Sequence, residues 1–317
     1  MNARPEQLPA WLGHLIAATG LYTLAVILWG AVVRITGSGA GCGQHWPTCH
    51  GDIVPLAPTM ETLIEFGHRT TSGLCLLAVL GTAAAAWRVA PAAHPIRRAA
   101  VLSSVFIITE ALIGAAIVLL EYVAHNASYY RAAWMALHLV NTFILTAGLG
   151  AMAWFFRSPV AFRFRDLQGF RVPFMLLLAG VVLVSTSGAV SALGQTLFPA
   201  LPEQTILEHV TQDPYVDTPY PMLLRLVHPV VAIAVSAGLL AFARIAGDRT
   251  DDPSVKRWSD VLTGMVVVQL LIGIMNVGLS APGWMQLVHL AAANALWLSL
   301  LGTAAAVATT TRLRGRQ

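Results

Sequence analysis

The 317-residue chain is 56% hydrophobic and only 11% charged, with a mean hydropathy of +0.69. Soluble domains carry roughly 25% charged residues, so this composition excludes an ordinary water-soluble protein. A net charge of +4 and a pI of 9.3 would suit a nucleic-acid partner. Most of the basic residues lie in short segments between apolar runs instead, which is typical of a membrane protein and argues against nucleic acid as the partner.

Eight apolar stretches of the chain are long enough to cross a bilayer, which takes about 20 residues. We therefore predict an all-α, polytopic membrane protein with eight transmembrane helices. The predicted spans are Leu15–Val33, Thr70–Ala90, Ala99–Leu120, Ala132–Phe156, Val172–Leu193, Met222–Ile245, Val261–Leu279 and Gln286–Ala308. The N-terminus is polar and the first apolar run is long enough to span, so we expect no cleavable signal peptide.

The distribution of basic residues predicts the orientation of the chain in the membrane. An even number of spans places both termini on one side, and most of the 19 Lys and Arg residues fall on that side. The exceptions, on the opposite side, are Arg34, Arg69, Arg131 and Arg225. Cytoplasmic loops carry the excess of Lys and Arg, so both termini are predicted to be cytoplasmic, in a cell-membrane protein.

The eight spans form two halves of four that resemble each other, which indicates an internal duplication. Each half has a His at the start of its second span and another in its fourth span, after a Trp-Met pair: His68, His138, His228 and His289. The third and seventh spans share Leu-Ile-Gly, preceded at similar offsets by Glu110 and Gln269. Ser38-Gly-Ala after the first span is matched with Ser187-Gly-Ala after the fifth. We predict two tandem four-helix bundles in the same orientation.

The four histidines all fall within about two turns of the outer end of their spans. A single intramembrane His is explained by a hydrogen bond between helices, but four equivalent ones indicate a functional site. Facing imidazoles can bind a haem iron from both sides. Zinc or copper would also fit a His pair, although those sites normally recruit Cys, carboxylates or more His. We predict one bis-histidine haem site in each half, residues 1–165 and 166–317.

The four outer-side arginines, Arg34, Arg69, Arg131 and Arg225, lie near these histidines along the chain. They break the positive-inside trend, so we expect an anionic group there. The Arg guanidinium binds carboxylates well, which makes the four residues candidates for contacts to haem propionates. The alternative is that they extend to lipid headgroups.

Glu65 precedes His68 by three residues, which places both on one face of a helix. A carboxylate beside a haem ligand can transfer a proton or stabilise positive charge on a reacting substrate. Its alternative roles are capping the second span or pairing with Arg69. Only the first half has this Glu, so we expect that half to be catalytic and the second to hold a fixed cofactor. Glu110, in mid-membrane, is either a proton relay or a hydrogen-bonding group between helices.

Cys42 and Cys49 lie on the outer side, where two Cys seven residues apart can form a disulfide. Cys-x6-Cys matches neither the redox Cys-x-x-Cys motif nor a haem-attachment motif, so a structural and a redox role both remain open. Cys75 lies inside the second span and is interpreted as a small packing residue.

Three motifs make the chain similar to the haem A synthases, over nearly its whole length. They are Gly30-Ala-Val-Val-Arg34-Ile-Thr-Gly-Ser-Gly39, Gly41-Cys…Trp46-Pro-Thr-Cys49 and Glu65-Phe-Gly-His68-Arg69. The resemblance, to the prokaryotic subgroup with paired cysteines, implies oxidation of a ring methyl of haem O to a formyl group, in two steps and with oxygen from water. This is an oxidoreductase reaction of haem A biosynthesis for cytochrome oxidase.

The resemblance also implies a role for each site residue. His68 and His138 would be the substrate-haem ligands of the N-terminal half, and His228 and His289 would hold the iron of a haem b cofactor. Glu65 would assist catalysis, by stabilising a cationic intermediate or taking a proton. Besides haem O and membrane lipid, the partners it suggests are haem O synthase and cytochrome oxidase assembly factors.

Two other functions are consistent with parts of the sequence. A cytochrome b-type protein that oxidises quinol would also bind two bis-His haems, but its His pairs lie at different depths on shared helices. A transporter would use helices broken by Gly or Pro near the midplane, where only Glu110 is polar.

Overall fold

The computed structural model describes residues 8–198 and 219–315, and it gives the backbone alone for residues 219–226. The predicted propionate contact Arg225 therefore lies outside the described side chains. Within the described residues the fold is all-α apart from one isolated bridge between Cys49 and Asp52. The long helices are α1 Ala10–Ile35, α2 Met60–Val89, α3 Ile96–Leu119, α4 Tyr129–Arg157, α5 Arg171–Leu197, α6 Pro219–Asp248, α7 Pro253–Gly278 and α8 Gly283–Arg314.

All eight helices contain a segment long and apolar enough to cross a membrane, which confirms the predicted fold class. The predicted ends were less accurate. Helix α2 begins at Met60 rather than Thr70, because its outer end continues through polar residues that a hydropathy average rejects. Thr59 caps this end by accepting a hydrogen bond from the Thr62 N–H at 3.2 Å. As a result His68 lies in the third turn of its helix, deeper than the first two turns predicted.

The two halves follow the same path of successive neighbouring helices. Helices α1 to α4 contact one another in sequence, and so do α5 to α8. The halves meet where α1 and α4 contact α5 and α8. Across this boundary the rings of Phe143 on α4 and Trp297 on α8 are stacked with centroids 4.9 Å apart. The indole N–H of Trp297 donates to the Phe143 carbonyl at 2.9 Å. The two halves are therefore joined by an apolar ring contact and by a hydrogen bond.

The apolar core of each half lies toward those helix ends that are on the same side as the N- and C-termini of the chain. One cluster contains Leu12, Val79 and Met152, and the other contains Phe242, Leu262 and Leu300. The opposite ends of the helices, called here the outer ends, are not filled by side chains in this way. They surround the cavity that contains the predicted histidines.

Candidate functional site

A single cavity of about 1040 Å³ opens between the outer ends of the helices and extends across both halves. This volume is at the upper end of the roughly 300–1,000 Å³ usual for ligand sites, so the cavity fits a large ligand. Its lining is mostly apolar, and it includes all four predicted histidines, His68, His138, His228 and His289.

The histidines are grouped by half in the way that the repeat predicts. His68 on α2 and His138 on α4 are close enough to interact electrostatically. His228 on α6 and His289 on α8 form the equivalent pair. Among the described residues, no cluster of three or more His, Cys, Asp or Glu side chains could hold a metal ion. Within the described part of the chain, neither pair is joined by the further ligands that zinc and copper sites normally recruit.

Four glycines face the four histidine rings, and the sequence interpretation missed them. A Cβ added at Gly30 on α1 would come within 3.0 Å of the His68 ring, and one at Gly188 on α5 within 2.8 Å of the His228 ring. A Cβ added at Gly114 would lie 4.0 Å from the His138 ring, and one added at Gly273 would lie 3.5 Å from the His289 ring. Each imidazole thus lies against bare backbone on a neighbouring helix, and the pattern repeats in both halves.

These glycines also correct the predicted alignment of the repeats. Ser187-Gly188-Ala189 lies inside α5, not after it, and Gly188 contacts the ring of His228. Ser38 lies in a short 3-10 turn beyond the end of α1. The structural counterpart of Gly188 is therefore Gly30, and a shared Gly-Ala-Val, rather than Ser-Gly-Ala, was the signal that would have found it.

The fit of haem to these residues is supported by the mostly apolar cavity that all four rings line, and the ring nitrogens differ in their hydrogen bonds. Buried polar atoms are normally paired, so an unpaired group needs an explanation. His68, His138 and His289 each have a buried Nδ1 without a hydrogen-bond partner in the described structure. His228 is the exception, because its Nδ1 lies 3.1 Å from the Val184 carbonyl and 3.2 Å from the Ser187 hydroxyl. That contact orients His228 with Nε2 available for an iron.

We expect Gly188→Ala to lower the haem content of the purified protein, because the new methyl group would displace the His228 ring. Gly264→Ala on α7 is the matched control, since a Cβ at that mid-helix position meets nothing within 4 Å. Gly-to-Ala changes inside helices stabilise by about 0.5–1 kcal/mol when the space is open. Loss of haem from the Gly188 variant alone, measured as haem per protein, is the expected result. Equal haem content in both variants would show that the close approach to His228 is not needed.

Glu65 lies 3% exposed at the cavity wall, and both of its carboxylate oxygens are bound. Oε2 accepts the backbone N–H of Cys42 at 2.8 Å. Oε1 accepts the Nε–H of Arg69 at 3.0 Å and a second guanidinium N–H from the same residue. The alternative predicted for Glu65, an ion pair with Arg69, is therefore present, and Glu65 and His68 both line the cavity.

Arg69 connects this carboxylate to the disulfide loop. Its Nη1 donates to the backbone carbonyls of His45 and Thr48, inside the loop that the Cys42–Cys49 disulfide closes. Most of the guanidinium N–H groups are thus used within the protein, so Arg69 has little capacity left for a haem propionate. The expected disulfide is present, and it lies in the segment that holds Glu65 in place.

Reduction of the disulfide is therefore expected to loosen the position of Glu65 and to lower any activity that depends on this carboxylate. Misplacing a reacting group by about 1 Å can cost about 10²-fold in rate, so we expect a loss of that order. Alkylation and mass spectrometry with and without reductant would follow Cys42 and Cys49, and the buried, free Cys75 provides an internal reference. A fully reduced protein with unchanged activity would show that the loop keeps Glu65 in place without the disulfide.

Arg34 joins the two halves at the outer end of the cavity. Its guanidinium donates to the Ala192 carbonyl and the Thr196 hydroxyl of α5 at 2.9 and 2.8 Å. A third hydrogen bond, of 2.8 Å, reaches Gln286 Oε1 at the start of α8. These partners are neutral oxygens, so the positive charge of Arg34 is not cancelled by them.

Arg131, on α4, is buried beside the same cavity. It donates to the carbonyls of Ala124 and Asn126, and it is close enough to Arg34 for the two charges to repel each other. Two cations facing one cavity favour an anionic ligand group. Of the predicted propionate contacts, Arg34 and Arg131 have this geometry.

Comparison with known proteins identifies the family of this chain and several of its relatives. The family model COX15-CtaA, described as cytochrome oxidase assembly protein, matches residues 13–301. A Protoheme IX farnesyltransferase of Thermus thermophilus is 40% identical over 292 residues, which are 92% of this chain and 48% of the relative. Heme A synthases of Bacillus mycoides and Bacillus cereus are 43% identical over 104 residues, 33% of this chain and 33% of each relative. The chain thus spans about half the length of the Thermus relative.

Proposed function

Because the chain belongs to the COX15-CtaA family of cytochrome oxidase assembly proteins, we propose that it is a haem A synthase. In this proposal it oxidises a ring methyl group of haem O to a formyl group. One observation carries the proposal: two equivalent His pairs share one cavity, and the carboxylates that line it among the described residues, Glu65 and Glu110, both belong to the N-terminal half. A duplicated site with one modified copy is suited to one substrate haem and one permanent haem.

The proposed reaction removes four electrons from the substrate. One water supplies the formyl oxygen, four protons are released, and the methyl carbon passes through the hydroxymethyl level. Each of the two steps therefore needs an acceptor for two electrons and a group that manages protons. A haem held in the second site would provide a route for these electrons toward an acceptor in or beside the membrane.

In the N-terminal half, residues 1–165, His68 and His138 bind the substrate haem. Arg34 and Arg131 attract its propionates and so fix the face of the macrocycle that lies toward Glu65. The Glu65 carboxylate stabilises positive charge that develops on the substrate or accepts a proton from the attacking water. Its bonds to Cys42 and Arg69 keep it rigid, which reduces the cost of reorganisation during the reaction.

In the C-terminal half, residues 166–317, His228 and His289 hold a haem b. Bound there, haem b supplies one-electron transfer. The position equivalent to Glu65, three residues before His228, is Arg225, so no carboxylate stands at that position of the repeat. The Val184 carbonyl and Ser187 hydroxyl orient His228, as expected for a permanent ligand.

The proposed orientation places both termini in the cytoplasm and the cavity near the outer face of the cell membrane. Partners in this scheme are haem O as substrate, the enzyme that makes haem O, and cytochrome oxidase assembly factors that receive the product. The disulfide agrees with this orientation, since disulfides persist in oxidising compartments.

The alternatives differ in chemistry and are distinguishable. A quinol-oxidising cytochrome b would need His pairs at different depths, whereas all four histidines here line one cavity at the outer ends of the helices. The name of the Thermus relative suggests prenyl transfer to protohaem instead. We assign that activity to the part of the relative that this chain does not match.

Expression in cells that make haem O but no haem A tests the proposal. Chromatography of the extracted haems should show haem A when the chain is present and haem O alone with an empty vector. A parallel strain that supplies only protohaem should yield neither product. Haem O formed from protohaem would favour the transferase function, and unchanged haem O in the first strain would contradict the proposal.

A further inference from the structure

Glu110 on α3 has a polar environment that the proposed mechanism does not use. Its carboxylate accepts hydrogen bonds from the Asn141 amide and the Thr142 hydroxyl of α4. Asn141 is itself held, because its amide N–H donates to the Phe106 carbonyl at 2.8 Å and its oxygen accepts from Thr109 at 2.6 Å. The network fixes both oxygens of Glu110 at the cavity wall.

One of these oxygens faces a proposed haem ligand. Glu110 Oε1 lies 3.4 Å from His138 Nδ1, which is close enough for an ion-pair contact but is not a formed hydrogen bond. His138 Nδ1 is buried and has no hydrogen-bond partner among the described residues. An imidazole whose Nδ1 faces a carboxylate keeps its proton on that nitrogen and presents Nε2 as the ligand atom.

The equivalent place in the other half carries no charge. Gln269 and Glu110 both stand four residues before the glycine that faces the fourth-span histidine of their half, Gly273 or Gly114. The Gln269 amide lies 3.3 Å from His289 Nε2 rather than from Nδ1, so the two contacts differ in the ring nitrogen that they reach as well as in charge. The residues that correspond to Asn141 and Thr142, counted from the histidine, are Ala292 and Ala293. The carboxylate and its supporting donors therefore occur in the first half alone.

We propose that Glu110 is a positioning residue that makes the haem of the N-terminal half harder to reduce than the haem of the C-terminal half. This inference rests on the proposed function, since it assigns haem to both sites. A carboxylate at Nδ1 increases the basicity of a His ligand, and a more basic ligand favours the ferric state. The negative charge also stabilises the extra positive charge of ferric iron in a medium of low dielectric constant.

The difference between the sites gives electron flow a direction. Electrons taken from the substrate haem side move toward the site of higher reduction potential, which is the C-terminal site in this scheme. A duplicated bundle with identical ligand environments would have no such preference. One Glu-to-Gln difference between the repeats is sufficient to create it.

The test is a redox titration of the purified full-length protein loaded with haemin at both sites and followed in the visible spectrum. Two midpoint potentials are expected, and the His228→Ala chain, which retains only the N-terminal haem, identifies the lower one. Glu110→Gln should raise that lower potential and narrow the gap, with haemin uptake unchanged. The reciprocal variant Gln269→Glu should lower the higher potential, which a purely structural role for Glu110 would not produce.

Unmoved potentials in Glu110→Gln, with both haems bound, would overturn the inference, as would a shift confined to the C-terminal haem. If the Glu110→Gln protein loses its N-terminal haem, the Gln269→Glu variant provides the test. A lowered reduction potential of the C-terminal haem in that variant supports the inference, and an unchanged potential contradicts it. A wild-type protein that takes up no haemin contradicts the proposed function itself. Bound haems with equal potentials contradict only the role of Glu110.

Discussion

Replacement of Glu65 by Ala is expected to abolish most haem A formation and to leave the haem of the C-terminal half in place. Glu65 stands three residues before His68, whereas Arg225 occupies the equivalent position before His228. Removing a single acid or base typically costs about 10²–10⁴-fold in rate, which extracted haems would reveal by chromatography. Cells that depend on the variant should accumulate haem O or its hydroxymethyl form.

Glu65→Gln separates two explanations of this loss. Gln keeps the size of the side chain but removes the charge, so a defect as large as that of Ala indicates charge or proton transfer. Restored activity in the Gln variant indicates positioning of the Cys42 loop instead. Glu61→Gln, at an exposed position one turn earlier on α2, is the matched control and should have normal activity. Normal haem A in Glu65→Ala would remove Glu65 from the mechanism.

His228→Ala and His289→Ala are each expected to remove the low-spin haem b signal from the purified protein. A haem iron held by two imidazoles is six-coordinate, and loss of either ligand breaks that state. Haem A formation should fall to near zero in the same variants, because the proposed route by which electrons leave the substrate is lost. The protein should still insert in the membrane, since both side chains line a cavity rather than the apolar core.

His14→Ala is the control for these two variants, because His14 is exposed on α1 and does not line the cavity. It should retain the wild-type spectrum. A full low-spin spectrum in both His228→Ala and His289→Ala would show that the haem b assignment to the C-terminal half is wrong.

The fold was predictable because its determinants are repeated many times along the chain. Eight apolar stretches give eight long helices, since a bilayer leaves the backbone few other ways to satisfy its hydrogen bonds. The ends were less predictable, because helices such as α2 extend beyond the apolar segment. The pairing of His68 with His138 and of His228 with His289 followed from the repeat, which relates equivalent helices without any knowledge of their packing.

Partners across helices were not predictable from spacing. Arg34 and Arg69 look alike in the sequence, yet the first bridges the two halves and the second is bound to Glu65 and the disulfide loop. The glycines opposite the histidines were missed for a related reason. The repeated Gly-Ala-Val and Leu-Ile-Gly segments mark these glycines in both halves, but only the position of the neighbouring helix shows that they face the histidine rings.

The most direct test of the whole account is the haem content and visible spectrum of the purified full-length protein. We expect protohaem in the extract and a low-spin, six-coordinate spectrum, with a second haem taken up when haem O is supplied. The His68→Ala variant should lose only this second haem. A purified wild-type protein that is folded, free of haem and unable to bind added haem would contradict the account.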